Sequence, residues 1–118
     1  MEKVTIYGQP PSKANSYRII TVSGHGSLGK TSALREYERT FFMQCPLRNK
    51  MIEERFKIEL DVYFKSDRPD IDNSLKIILD CLQECKAIKN DRQCVEIHVR
   101  KLIDKINPRV EFILTPEM

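Results

Sequence analysis

The run Pro69-Asp70-Ile71-Asp72-Asn73, followed by Lys76 and Asp80, gathers groups that could do chemistry into one short segment. Carboxylates at i and i+2, where a strand ends or a helix starts, can converge on one hard cation. Magnesium held by a few carboxylates, with water and substrate phosphate completing its shell, is the usual arrangement for phosphodiester hydrolysis. A lysine one helical turn further on adds positive charge beside such a centre. Asn90-Asp91-Arg92-Gln93 brings a further acid. The same spacing also fits a plainer role, in which Asp70 or Asp72 caps a helix and Lys76 is its i+4 ion-pair partner. Spacing alone weighs the two equally.

A second segment competes. Gly24-His25-Gly26-Ser27-Leu28-Gly29-Lys30-Thr31 fits the phosphate-binding pattern G-x-x-x-x-G-K-[ST] at every fixed position. In such a loop the glycines let backbone N–H groups wrap phosphates, the lysine neutralises charge and the hydroxyl binds magnesium. Ile77-Ile78-Leu79-Asp80 resembles the apolar run ending in a magnesium-binding aspartate. Against this, that run has helical spacing, and Arg18 interrupts the strand that should precede the loop. The chain, at 118 residues, also leaves little room for a parallel sheet with crossover helices. A flexible glycine loop carrying a basic residue is favoured, and no nucleotide cofactor is expected.

The elements that must position these residues follow from periodicity. Val4 and Ile6 alternate with Thr5 and Tyr7 in a short strand, which Gly8–Ser12 breaks. Tyr17–Val22 reads as a second strand, and the glycines of Ser23–Lys30 read as a loop. Thr31 or Ser32 can cap a helix to about Gln44, with Leu34, Tyr37, Phe41 and Phe42 as its apolar stripe and Pro46 beyond its end. Phe56, Ile58, Leu60, Val62 and Phe64 alternate with polar residues in the cleanest strand of the chain. A helix then runs to about Lys86, with Leu75, Ile78, Leu79 and Leu82 as its core stripe and Asp72, Lys76, Asp80 and Gln83 together on another face. Strands at Val95–Val99 and Val110–Leu114 close the order ββαβαββ. This predicts an α+β fold: a small mixed or antiparallel sheet with two main helices, a single domain over residues 1–118.

Composition narrows the class. Hydrophobic residues make up 41% and charged residues 31%, as in ordinary globular chains, and no uncharged apolar run is long enough for a membrane span. The N-terminus has no secretory pattern. The formal net charge is +3, but residues 1–57 hold ten basic and five acidic residues, and residues 58–118 hold ten basic and twelve acidic. A basic half beside an acidic half suits a protein that grips phosphates with one surface, though an unevenly solvated surface fits as well. Cys45, Cys81, Cys85 and Cys94 form no C-x-x-C pair, and His25 and His98 do not complete a zinc set. Reduced thiols in a cytoplasmic protein are expected.

The segment P-D-x-D-N-x-x-K-x-x-x-D, with an aspartate just before the next strand, resembles the RusA family of Holliday junction resolvases. Pro10-Pro11-Ser12 with Asn15, Tyr17 and Arg18 is similar to that family's P-P-S-x-N start. The resemblance implies a homodimeric, magnesium-dependent crossover junction endodeoxyribonuclease, with manganese as a substitute ion. Its substrate would be four-way, branched DNA, cut by paired symmetric nicks in recombination and repair, in the cytoplasm of a bacterial or phage-infected cell. It also implies residue roles. Asp70, Asp72 and Asp91 match the family's metal-binding acids, and Lys76 matches its essential lysine. Asp80 matches a recurrent acid, and Asn73 and Asn90 are accessory; Asn90 stands where the family has an aspartate. Lys13, Arg18, Lys30, Arg35, Arg39, Lys89 and Arg92 are then candidates for DNA phosphate contacts. A DNA-binding dimer without chemistry is the alternative.

Geometry raises one question. A helix from Asp72 to Lys86 is about 22 Å long. Asp91 follows its far end, so it can join Asp70 only if residues 87–91 turn back along the helix, or if it comes from a partner across a two-fold axis.

Overall fold

A computed structural model describes residues 2–12 and 14–117. Strands β1 (Val4–Tyr7), β2 (Tyr17–Val22) and β3 (His25–Lys30) precede helix α1 (Ser32–Gln44). Then come β4 (Phe56–Phe64), α2 (Ile71–Glu84), a single 3-10 turn (Asp91–Gln93), β5 (Cys94–Ile103) and β6 (Arg109–Pro116). The main sheet has the order β1-β6-β4-β5, in which β4 and β5 are parallel and the other neighbours antiparallel. The fold is α+β with two helices and a mixed sheet, as the sequence predicts. The parallel pair follows from α2, which carries the chain from the end of β4 back to the start of β5.

The strand order gains one member. Ser23–Lys30 is not a loop: His25–Lys30 pairs antiparallel with Tyr17–Val22 as a separate two-stranded hairpin. Ser23 and Gly24 form its turn with φ of 52° and 80°. Positive φ at both central residues matches the right-handed twist of paired strands, and a glycine at the second supplies it without strain.

β4 is the central strand, and Phe56, Ile58, Leu60, Val62 and Phe64 are all buried beneath the helices. Leu34, Tyr37 and Phe41 of α1 cover them from one side, with Phe41 stacked on Phe112 of β6 at 6.2 Å between centroids. Phe42, expected in that stripe, lies outside it and is largely exposed. On α2 the buried set is Ile77, Ile78, Cys81 and Leu82, whereas Leu75 and Leu79 are only partly covered. The helix is rotated from the expected stripe because its Ser74–Ile77–Cys81 side is also buried. All four cysteines are free thiols, and only Cys94 is not fully buried.

α2 ends two residues earlier than predicted. Lys86 adopts φ of 61°, and the Ala87 N–H donates back to the Leu82 carbonyl at 2.9 Å. This left-handed ending reverses the chain. Ala87 and Ile88 are then buried, and residues 87–91 run back beside the helix.

Candidate active site

Pro69 ends the extended segment after β4, and Asp70 takes the N-cap position of α2 with extended backbone, φ −89° and ψ 144°. Its side chain makes no capping hydrogen bond. Among the described residues, the Asp72 carboxylate accepts only the neighbouring Asn73 N–H, at 2.9 Å. Both acids are exposed and line a cleft of about 350 Å³ with Pro10, Pro11, Ser12 and Arg68. The far wall is fixed to the near one, because Asn73 Nδ2 donates to the Pro11 carbonyl at 3.1 Å. Ser16, fully buried, donates to the Ser12 carbonyl at 2.7 Å and holds the N-terminal segment in shape. Two stretches some sixty residues apart in the chain thus form one cleft.

Lys76 stands one turn along α2. Its ammonium lies 5.2 Å from the centre of the Tyr17 ring, a cation–π contact, and it has no salt bridge among the described residues. The capping arrangement, with Lys76 paired to Asp72, does not form. A second cleft of about 280 Å³ is lined by Tyr17, Leu28, Asp72, Asn73 and Lys76, so Asp72 and Asn73 stand between the two.

Asp91 comes back as far as Gln83, whose side-chain oxygen accepts the Asp91 N–H at 3.0 Å. It stands near Asp80, whose carboxyl is raised by burial first, then by the charges of Asp91 and Glu84, with Lys76 opposing. Asp72 and Asp80 are eight residues apart, about 12 Å along the helix axis. Asp70 and Asp72 therefore mark one end of a helix face and Asp80 and Asp91 the other, with Lys76 between. Among the described residues no three acids, histidines or cysteines come within reach of one metal ion. Asn90 serves the fold locally. Its side-chain oxygen accepts the Arg92 N–H, and the Gln93 side chain accepts the Asn90 N–H, so the pair caps the 3-10 turn.

The basic residues separate into groups. Arg18, Lys30, Arg35 and Arg39 line one groove of about 390 Å³ with Ser32 and Glu36. Lys30 is committed inside it, bonded to Glu38 at 2.7 Å and Glu84 at 2.8 Å. Burial pulls its ammonium down, but these two partners outweigh that and raise it. Arg39 is paired with Glu36. The Gly24–Thr31 segment is a turn and a strand, so its amides pair across a hairpin and do not wrap a phosphate, and the Thr31 hydroxyl caps α1. Lys89 and Arg92 are exposed near Asp91. Lys13 lies outside the described residues.

Two neighbours of the acids escape the sequence pattern as site residues: Arg68, and Tyr17 beneath Lys76. The first is legible as a basic residue two positions before Asp70; the second requires knowing that the hairpin docks on α2.

Asp70 and Asp72 thus stand exposed at one cleft, and Lys76, without a salt bridge among the described residues, lines the next. The family model for endodeoxyribonuclease RusA matches residues 8–115. The chain belongs to the RusA endodeoxyribonuclease family of Holliday junction resolvases, hydrolases acting on DNA. Nucleases of this kind are generally divalent-metal dependent. No curated protein matches the chain. Among the described residues no helix is long and apolar enough to cross a membrane.

Proposed function

We propose that this chain is a magnesium-dependent resolvase that nicks four-way DNA symmetrically, with Asp70, Asp72 and Lys76 at its centre. The observation that carries this reading is the uncapped Asp70. A carboxylate at a helix N-cap normally bonds the first-turn amides. Here it faces a cleft beside a second acid instead, which suits a hard cation better than a cap.

The donor set fits magnesium, which takes one or two carboxylates and fills its other positions with water and substrate phosphate. When bound, the ion supplies Lewis acidity, polarising the scissile phosphate and acidifying nearby water. Manganese serves as a substitute. The protein's own groups do the rest. Asp70 and Asp72, which line the cleft, would hold the cation. The Lys76 ammonium meets a phosphate oxygen where negative charge grows, and the Tyr17 ring below keeps it aimed there. Arg68, which lines the cleft with Asp70 and Asp72, steadies the phosphate there. Arg18, Arg35 and Arg39 hold backbone phosphates of one arm, so affinity falls steeply with salt.

A two-fold dimer places one site on each nicked strand. The cut leaves 5′-phosphate and 3′-hydroxyl ends that a ligase seals, and the setting is the cytoplasm. The Asn90 side chain caps the 3-10 turn, a role that an aspartate fills equally well. The test is a labelled synthetic four-way junction in magnesium and in EDTA, with nick positions mapped and products offered to ligase. Paired, ligatable nicks in magnesium alone are expected. Binding without product in magnesium or manganese would contradict the reading.

A further inference from the structure

Ile19 and Leu28 face each other across the β2–β3 hairpin and are 81% and 72% exposed. Cross-strand partners share a face of the sheet. At the base of the same face Tyr17 pairs with Lys30 in register; Lys30 is tied to α1 and α2 through Glu38 and Glu84, and Tyr17 underlies Lys76. This base seats the hairpin on α2, and further out the face is left bare. Leu28 also lines the cleft that holds Asp72, Asn73 and Lys76. Arg18, the next residue along from Tyr17, lines the groove with Arg35 and Arg39. The apolar pair therefore sits on the rim of the cleft beside Lys76, with Arg18 on the opposite face of the same hairpin.

We propose that Ile19 and Leu28 form an apolar ridge that packs on unstacked base faces at the branch point of the DNA, setting the junction centre beside Asp72. The inference rests on the proposed function in one respect, that DNA enters this cleft. Nucleic acid is the occupant that fits. Its phosphates answer Arg18, Arg35, Arg39 and Lys76, while its base faces answer the aliphatic pair. Aliphatic wedges at opened base steps are a general device for holding deformed DNA. A second copy of the chain fits less well: two side chains fall far short of the roughly 800 Å² per partner that a stable interface needs. A linear duplex keeps its bases stacked, so the ridge selects branched DNA over duplex.

The experiment uses a four-way junction with 2-aminopurine at the branch point, in a cleavage-silent Asp72→Asn background, with and without Ile19→Thr/Leu28→Thr. Threonine keeps strand propensity while removing apolar surface. Binding by the parent should raise the fluorescence several-fold. The ridge variant should lose that rise, bind the junction about tenfold more weakly and bind duplex within about twofold. Leu28→Trp, which offers a stacking face, should strengthen junction binding. Equal fluorescence with and without the ridge, parallel loss of junction and duplex affinity, or a fall from dimer to monomer in the ridge variant would each overturn the proposal. Because these readouts need no cleavage, ridge-dependent fluorescence from a wild-type protein that cuts nothing would overturn the nuclease reading alone.

Discussion

Asp70 takes the position where a helix ordinarily accepts a capping bond, and its carboxylate leaves that bond unmade. A residue that does little for α2 can be changed with little harm to it. Asp70→Asn should leave stability within about 0.5 kcal/mol, read by thermal unfolding, yet lower junction cleavage by at least about 100-fold. Asp80 behaves differently. Its carboxyl is raised above 3.8 by burial, with Asp91 and Glu84 adding and Lys76 opposing. For an acid raised on folding, ionisation disfavours the folded state. That penalty is absent below 3.8, grows as pH rises toward the folded value, and is full above it. Asp80→Asn should therefore raise Tm at neutral pH and leave it unchanged near about pH 3, where both states are protonated. A gain that persisted in acid would point to packing, not charge. The residues of the site are legible in the sequence as types and spacings, but their freedom is not. Whether Asp70 caps, or whether Lys76 pairs with Asp72, depends on side-chain rotamers that spacing cannot fix.

At the scale of elements, the strands and helices with clear periodicity stand where the sequence puts them. β4 alternates without fault, and α1 starts at its Thr31 cap. β3 is hidden because Gly26 and Gly29 erase the alternation that marks a strand. The fold explains the second of these, since a Cβ on Gly29 would come within 3.0 Å of Ile20. The Ser23-Gly24 turn is the signal available for the hairpin. Ser23→Asn, which makes the preferred Asn-Gly pair, should stabilise the protein, and Gly24→Ala should destabilise it by about 1 kcal/mol, both measured by denaturant unfolding. Periodicity places α2 correctly and finds Ile78 and Leu82 of its buried side, but it misses Ser74, Ile77 and Cys81, which widen the buried face beyond a single stripe while Leu75 and Leu79 are only partly covered.

For the whole molecule, the decisive feature is the meeting of Pro10–Ser12 with Asp70–Asn73, held by Asn73 on the Pro11 carbonyl. Nothing in periodicity foretells that contact; only the family resemblance joins the two stretches. The separation of Asp91 from Asp70 and Asp72 also belongs to this scale. In a two-fold dimer Asp91 can serve the other subunit's acids, and a mixed dimer decides it. Asp72→Asn and Asp91→Asn chains are each expected to be inactive alone. Co-expressed, they should recover single-strand nicking if the site is shared, since one site keeps both acids; no recovery would place Asp91 in the site of its own chain. That Asp72 serves a junction-cutting centre is tested most sharply by comparing wild type with Asp72→Asn on one four-way junction and on a linear duplex of the same sequences, in magnesium. Paired nicks are expected in the junction only, lost in the variant while junction binding persists. Equal cutting of the duplex, or full cutting by Asp72→Asn, would contradict that role.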